Sequence, residues 1–407
     1  MKNHDVIILG AGLSGLACAR TLQKSGIYSL LIEPQSAVGG RVQSHITESG
    51  FIIDKGFQVL LNSYPELKNF VDLAKLDLKK FNSGALIYNG ESLDLLANPV
   101  VHPEHLVSTV FQKYITAKDK LLVLKLLIIV QSQTSDFPLG NKTTLTFLQE
   151  FGFSENFIEL FWRPFLAGLY LDSELSMGQD FFKFLLRCFA TGNVTIPAHG
   201  TMELPRLMAV DLPKESILLG QSATSWTAKE VTLADGQKLK AKTVVCAFDA
   251  STSASATGKL QNTAYHSVET IYFTSPILEQ MPWGKWLVLV PQKLGLGINH
   301  FCLLTAVAET YGQGKPLLSV SIIGDKKLTL SQVQQEMNQI AKQDLKLELV
   351  ERVFVQRALP EIIDEPQGFK VMDGVVHCGD RWASPSINGA LRSGRMAAEF
   401  ILKEERQ

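Results

Sequence analysis

Residues 6–22 read VIILGAGLSGLACARTL. Four apolar residues, Val6 to Leu9, run into Gly10-Ala11-Gly12-Leu13-Ser14-Gly15, and a helix pattern of small residues follows. Strand, glycine turn and helix in that order form a dinucleotide-binding unit. Gly10 permits the tight turn, Gly12 leaves the pyrophosphate unobstructed, and Gly15 lets the helix pack against the strand. Leu13 and Ser14 open the helix, whose free N–H groups and positive end would carry the pyrophosphate. A second strand, Tyr28 to Ile32, ends in Glu33, at about the 20-residue spacing expected of an acid that accepts from the adenosine ribose. A lone glycine motif would be weak; here every neighbouring part of the unit is in place.

The rest of the chain bears on which dinucleotide this is. Gly39-Gly40-Arg41-Val42 supplies a second glycine turn, where backbone can approach a ligand and Arg41 can make a charge-assisted contact to phosphate. Nicotinamide-binding units do not usually need it. Another strand, ending in Asp54, leads to Lys55-Gly56-Phe57-Gln58-Val59. Near the C-terminus Val375 to Cys378 reads as a short strand leading into Gly379-Asp380, and Ser386-Ile387-Asn388-Gly389-Ala390 opens a helix. A glycine and a carboxylate at a strand end suit an extended polyol, which FAD has as its ribityl chain and NAD lacks. The two ends of the chain would then bind one FAD. Cys246 and Cys378 read as small buried strand residues, so the FAD is expected to be held without a covalent bond.

Composition sets the outer bounds. The 407 residues suit about two domains, and 46% of them are hydrophobic, enough for a large core. Basic and acidic residues number 39 and 40, which gives no sign of a nucleic-acid partner. Cys18, Cys188, Cys246, Cys302 and Cys378 are scattered without a CxxC or a metal-ligand spacing, so no metal is expected and a reducing, cytoplasmic setting is. The first strand starts too early to leave room for a signal peptide, and no run of about 18 uncharged apolar residues occurs. Residues 120–130, KLLVLKLLIIV, read as a buried helix, with peripheral contact to a membrane surface as the alternative. Residues 66–200 read as mainly helical and residues 215–248 as strands, with an Asp235-Gly236 hairpin; residues 265–325 carry further strands, and residues 328–344 read as an amphipathic helix.

GAGLSG, Glu33, Gly39-Gly40-Arg41 and GDRWASPSINGALRSGRMAA together resemble the FAD-dependent flavin amine oxidase superfamily. FWRPFLAGLYLDSELS, HGTMELPRLM and Arg357-Ala358-Leu359-Pro360 are similar to segments of its protoporphyrinogen oxidase and phytoene-desaturase-like branch. The resemblance implies an α/β fold. A Rossmann-like FAD-binding domain would be assembled from residues 1–75, 196–255 and 350–407, and an α+β substrate domain would be inserted as residues 76–195 and 256–349. It implies cofactor contacts at Gly10, Gly12, Ser14, Glu33, Gly40, Arg41, Gly56, Asp380 and Ile387. Leu13, Gly15, Gly39, Val42, Phe57, Gln58, Gly379, Ser386 and Ala390 lie in the same turns, and Ala223 would give a looser backbone contact to adenine. Phe57, Gln58 and Trp382 are expected to converge near the isoalloxazine, facing the substrate.

Two departures bear on chemistry. Amine oxidases of this kind keep a lysine near the flavin, and the matching strand, His266 to Phe273, has none. They also place an aromatic residue just before the last helix, where this chain has Ser386. The expected reaction is therefore hydride transfer to the flavin from a C–N or C–C bond of a mostly apolar small molecule. The alternatives are an isoprenoid or polyene desaturase or isomerase, and a flavin-binding sensor or assembly factor without turnover. Oxygen, a quinone or another carrier would reoxidise the flavin. No catalytic residue is assigned; His300 and His377 have no partner motif around them.

Overall fold

A computed structural model describes residues 3–98, 101–102, 104, 115–132, 142–248, 264–362 and 367–405. Among them, two large sheets organise the molecule. In the first, strand Asn3–Leu9 lies between Ser29–Glu33 and Lys238–Cys246 and runs parallel to both. Val6, Ile7, Ile8 and Leu9 are all fully buried, as the unbroken apolar run of a central parallel strand requires. Ile217–Leu219 extends the sheet beyond Ser29–Glu33. On the other side Lys238–Cys246 has two partners. Its first residues pair antiparallel with Glu230–Leu233 across the Asp235-Gly236 hairpin, and Val245 and Cys246 pair parallel with Val375–His377. N-terminal, central and C-terminal segments thus build one sheet. Helices Leu13–Lys24 and Ile387–Glu404 pack on each other at close range. A Cβ on Gly394 would stand 2.0 Å from the Ser14 carbonyl oxygen.

The second sheet runs in the order Glu348–Pro360, Tyr265–Thr274, Leu318–Ile323, His300–Leu303, Leu287–Leu289, Gly84–Tyr88, Leu93–Ala97. One face, with Ile271, Val320, Phe301, Val288 and Leu86, is apolar and covered by Val333, Met337 and Ile340 of helix Leu330–Ala341. A capping box at Thr329 and Gln332 starts that helix. The opposite face carries Thr270, Ser321, His300, Leu289 and Ile87 in one cross-strand row. Phe161 and Phe165 pack over its Leu289 and Ile87 end. They come from a helical stretch, Glu155–Tyr170, that Ser154 caps and that contains a π-turn at Ile158–Trp162. Phe157, Phe161 and Phe165 stack in near-parallel pairs 5.3 and 5.5 Å apart, the result of i, i+4 spacing on a helix.

Among the described residues, 66–200 are mainly helical, as expected, but Leu78–Lys80, Gly84–Tyr88, Leu93–Ala97 and Val194–Pro197 are strands that the sequence reading did not place. A short apolar run such as Ala85 to Tyr88 has no period that separates strand from helix. Two expectations are corrected. Strand Glu348–Pro360, assigned on sequence to the FAD-binding segments from residue 350, is hydrogen-bonded along its length to Tyr265–Thr274 in the second sheet. The chain rejoins the first sheet at Lys370–Met372 and Val375–His377. Helix Ala117–Ser132 is not buried all round: Leu126 and Val130 are buried, whereas Leu121, Leu124 and Ile128 are 68%, 57% and 61% exposed. Among the described residues, no helix is long and apolar enough to cross a membrane.

Candidate functional site

The two glycine turns meet. Gly10 donates its N–H to Ile32 O at 2.8 Å and has φ +104°, and a Cβ there would press on Ala247 O. A Cβ on Gly15 would fall 2.0 Å from Gly10 O, so the strand-to-helix turn admits only glycine there. Gly39 donates to Ala11 O at 2.8 Å and bridges to Gly12, and Val42 closes the second turn by donating to Gly39 O. A Cβ on Gly40 would stand 3.3 Å from Gly12 Cα. Side chains at either glycine would fill the space between the turns, which leaves a cradle walled by backbone. Helix Leu13–Lys24 has no side-chain cap and no acidic residue in its first turn, so its leading N–H groups and dipole suit a phosphate.

Glu33 is buried beside this cradle. One carboxylate oxygen accepts from Ala11 N at 2.8 Å and the other from Gln35 N at 3.0 Å. Each oxygen keeps a further lone pair, so Glu33 braces the turn and can still accept from a ribose. The Glu33 carbonyl accepts from Gln221 N at 3.0 Å, which lays the loop preceding Ala223 along the same residue. Ala223 then starts an outer strand and pairs with Leu233.

At the other end, Arg41 Nη2 lies 2.7 Å from Asp380 Oδ1, and Arg41 Nη1 donates to Ala358 O at 3.0 Å. The sequence assigns both residues to one cofactor, and the structure joins them directly. Gly379, at φ +152°, donates its N–H to Ser393 Oγ. Ser386 Oγ accepts from Gly389 N and caps the last helix, which Ile387 opens; Ala390 donates to Ser386 O. Asn388 Oδ1 accepts from Glu66 N, and the Arg395 guanidinium holds the Glu66 carboxyl below its ordinary range. Cys246 and Cys378 are buried, and burial pushes the Cys378 thiol up to about 12. Burial disfavours the thiolate form of both.

The turn after Gly56 (φ +88°) links strands Ile52–Asp54 and Leu60–Leu61 and lies against the second sheet. Phe57 N donates to Thr270 Oγ1 at 3.1 Å, and its ring lies 5.2 Å from His300 and 6.2 Å from Phe81. The Gln58 amide nitrogen donates to Arg41 O and Lys55 O, holding the turn. Trp382 has other surroundings: its ring lies 4.8 Å from the Arg381 guanidinium and 5.4 Å from the Lys370 ammonium. Phe57 therefore faces the second sheet, Gln58 is turned to backbone, and Trp382 packs against cations.

The sequence reading named two further residues here without giving them a role. Asp54, fully buried two residues before Gly56, accepts from Ser44 Oγ at 2.6 Å, Thr201 N at 2.9 Å and Tyr311 OH at 2.8 Å, and its carbonyl accepts from Tyr272 OH. Burial still pushes its carboxyl up. Its partners lie up to 257 positions away in the chain, and the only local sign was an acid ending an apolar strand. His300 is the other: it is buried against Phe57, and burial pushes it down to about 4. Among the described residues, no group of acids, histidines and cysteines could hold a metal.

The backbone cradle, the buried acid and the Arg41–Asp380 pair fit a flavin dinucleotide. Residues 13–402 match the model of the flavin-containing amine oxidoreductase family. Mitochondrial protoporphyrinogen oxidase of Nicotiana tabacum is 24% identical over 40% of this chain and 32% of its own length. The 15-cis-phytoene desaturase of Arabidopsis thaliana is 31% identical over 21% of this chain and 16% of its own. The matched part thus spans a third or less of these two curated relatives. The solved structure of putrescine oxidase bound to putrescine superposes with a TM-score of 0.72 over 99% of both chains at 14% identity, a likeness of fold. With glycine turns, acid and family in agreement, the chain belongs to the flavin-containing amine oxidoreductases, and its cofactor is FAD.

Proposed function

We propose that the protein removes a hydride from a C–N or C–C bond of a mostly apolar small molecule. The observation that carries this reading is the apolar cluster next to the Gly56–Phe57 turn, which we read as the wall of a substrate slot. Leu287, Leu289, Ala85 and Ile87 of the second sheet pack there against Phe161 and Phe165, with Phe189 5.3 Å from Phe165. Phe57, Phe161, Phe165 and Phe189 are only half-buried, and apolar walls with few polar groups are what a pocket for an apolar ligand needs. FAD, when bound, supplies the hydride acceptor. The chain's own part is to hold and orient. The Gly10–Gly15 and Gly39–Gly40 turns would carry the pyrophosphate, Glu33 the ribose and Asp380 the ribityl chain, while the aromatic walls exclude water.

A specific observation favours a desaturase or isomerase of an isoprenoid or polyene over an amine oxidase. On strand Tyr265–Thr274 the side chains turned to residues 54–57 are Thr270 and Tyr272, and the strand holds no lysine. Product analysis by mass spectrometry separates the readings. Loss of two hydrogens from an apolar substrate supports oxidation or desaturation, an unchanged mass with altered bond geometry supports isomerisation, and carbonyl products from amines support C–N oxidation and refute desaturation and isomerisation.

Peripheral membrane contact is part of this proposal. Leu121, Leu124 and Ile128 share the exposed face of helix Ala117–Ser132 with Lys118 and Lys125, the pattern of a helix lying on an anionic lipid surface.

A further inference from the structure

The proposed slot would not be uniformly apolar. At the Phe57 turn the same sheet face carries the buried row Thr270, Ser321 and His300, neighbours across three paired strands. Thr270 Oγ1 is used by Phe57 N. Ser321 Oγ and His300 Nε2 are buried and have no hydrogen-bond partner among the described residues. Buried polar atoms are normally satisfied, so two neighbouring exceptions beside a candidate substrate site call for a ligand group.

The proton on His300 can be placed. The Asn299 side-chain nitrogen lies 3.1 Å from Pro164 O and 2.9 Å from His300 Nδ1. A carbonyl only accepts, so the atom facing Pro164 is the amide nitrogen, and its second hydrogen points to Nδ1. Nδ1 is then an acceptor and the ring proton sits on Nε2. Burial keeps the imidazole neutral at ordinary pH. The Nδ1 edge is closed by helix Arg163–Tyr170, since a Cβ on Gly168 would stand 2.9 Å from Nδ1. Half-buried Phe57 packs on the same ring.

We propose that the His300 Nε2–H donates a hydrogen bond to one uncharged acceptor oxygen, a carbonyl or an ether, on the substrate. The site would thereby select apolar molecules bearing such an oxygen over plain hydrocarbons. It would also disfavour ammonium groups, because a cation that only donates cannot pair with a donor. Asn299 is the positioning residue: it fixes the tautomer through Pro164. This inference rests on the apolar-slot reading above and adds a polar group to it.

The test titrates the FAD-loaded protein with acetophenone and with ethylbenzene, a ketone and a hydrocarbon of similar shape, following the flavin absorbance. In His300→Phe the ratio of the two dissociation constants should move against the ketone by about five- to ten-fold, the weight of one neutral hydrogen bond. His300→Gln, which keeps an N–H, should recover part of that preference. An unchanged ratio in His300→Phe, with ethylbenzene still bound, overturns the inference and leaves the apolar slot standing. If neither ligand perturbs the wild-type flavin, the slot reading fails and takes the inference with it. Nitrogen-15 NMR of histidine-labelled wild-type protein needs no variant to fold. It should show His300 protonated at Nε2, with a signal that acetophenone shifts and ethylbenzene does not; protonation at Nδ1 overturns the assignment.

Discussion

At the scale of single residues, one Glu33 carboxylate braces the glycine turn and, on the proposed reading, would also hold the ribose. It accepts two backbone N–H groups, from Ala11 and Gln35, in a buried setting, so its removal strips a charged acceptor from the turn and, on that reading, from the ribose. Glu33→Ala should lower both FAD affinity and stability by roughly 1.5–3 kcal/mol. Glu33→Gln, which retains one acceptor, should lose less. FAD titration and thermal melting check this, and a variant that melts and binds like wild type would contradict the role. His300 and His377 make a second residue-scale prediction. Burial pushes both down to about 4 from the ordinary 6.5. Between those values the unfolded chain binds more protons than the folded one, so their contribution is complete above pH 6.5 and is lost as pH falls through 4. At pH 5 each site should have cost about 2 kcal/mol. Asp54, pushed upward by burial, pulls the other way in both proteins of a comparison. The difference in pH slope between wild type and His300→Phe in urea unfolding therefore isolates His300; identical slopes would show that its pKa is ordinary.

At the scale of elements, what was legible on sequence is what is local. The Val6–Leu9 strand, the Gly10–Gly15 turn, the Asp235-Gly236 hairpin and the Ser386 cap each occupy one short window, and each stands where its residues indicate. Asp54 and His300 were illegible because their meaning lies in Tyr311, Thr201, Phe57 and Pro164, brought together only by the fold. The edge strand Glu348–Pro360 was misassigned because its exposed and half-buried residues carry no sign of which sheet they join. Two elements yield predictions. The contact of the first and last helices depends on Gly394, where a Cβ would overlap Ser14 O and Ala17 Cβ. Gly394→Val should destabilise by about 1–3 kcal/mol and reduce FAD content, because Ser14 lies in the first turn of the helix proposed to face the pyrophosphate; unchanged melting and flavin content would refute it. On helix Ala117–Ser132, Leu121→Asp with Leu124→Asp should leave flavin content intact and abolish sedimentation with vesicles containing anionic lipid. Wild-type protein that stays in the supernatant would remove the membrane proposal.

At the scale of the whole molecule, the proposed cofactor site would draw on residues from both ends of the chain, Gly10 to Arg41 and Gly379 to Ala390, and on the central loop before Ala223. One face of the second sheet turns from polar at Thr270 and His300 to apolar at Leu289 and Ile87. On the proposed reading the first sheet holds the dinucleotide and the second chooses the substrate. The most direct test is anaerobic stopped-flow with the FAD-loaded protein, following bleaching of the flavin by a panel of apolar polyenes and prenyl ketones alongside primary amines and polyamines. The account predicts that members of the apolar set bleach the flavin and that the amines leave it oxidised. Rapid bleaching by putrescine or benzylamine, with none by the apolar set, would contradict it.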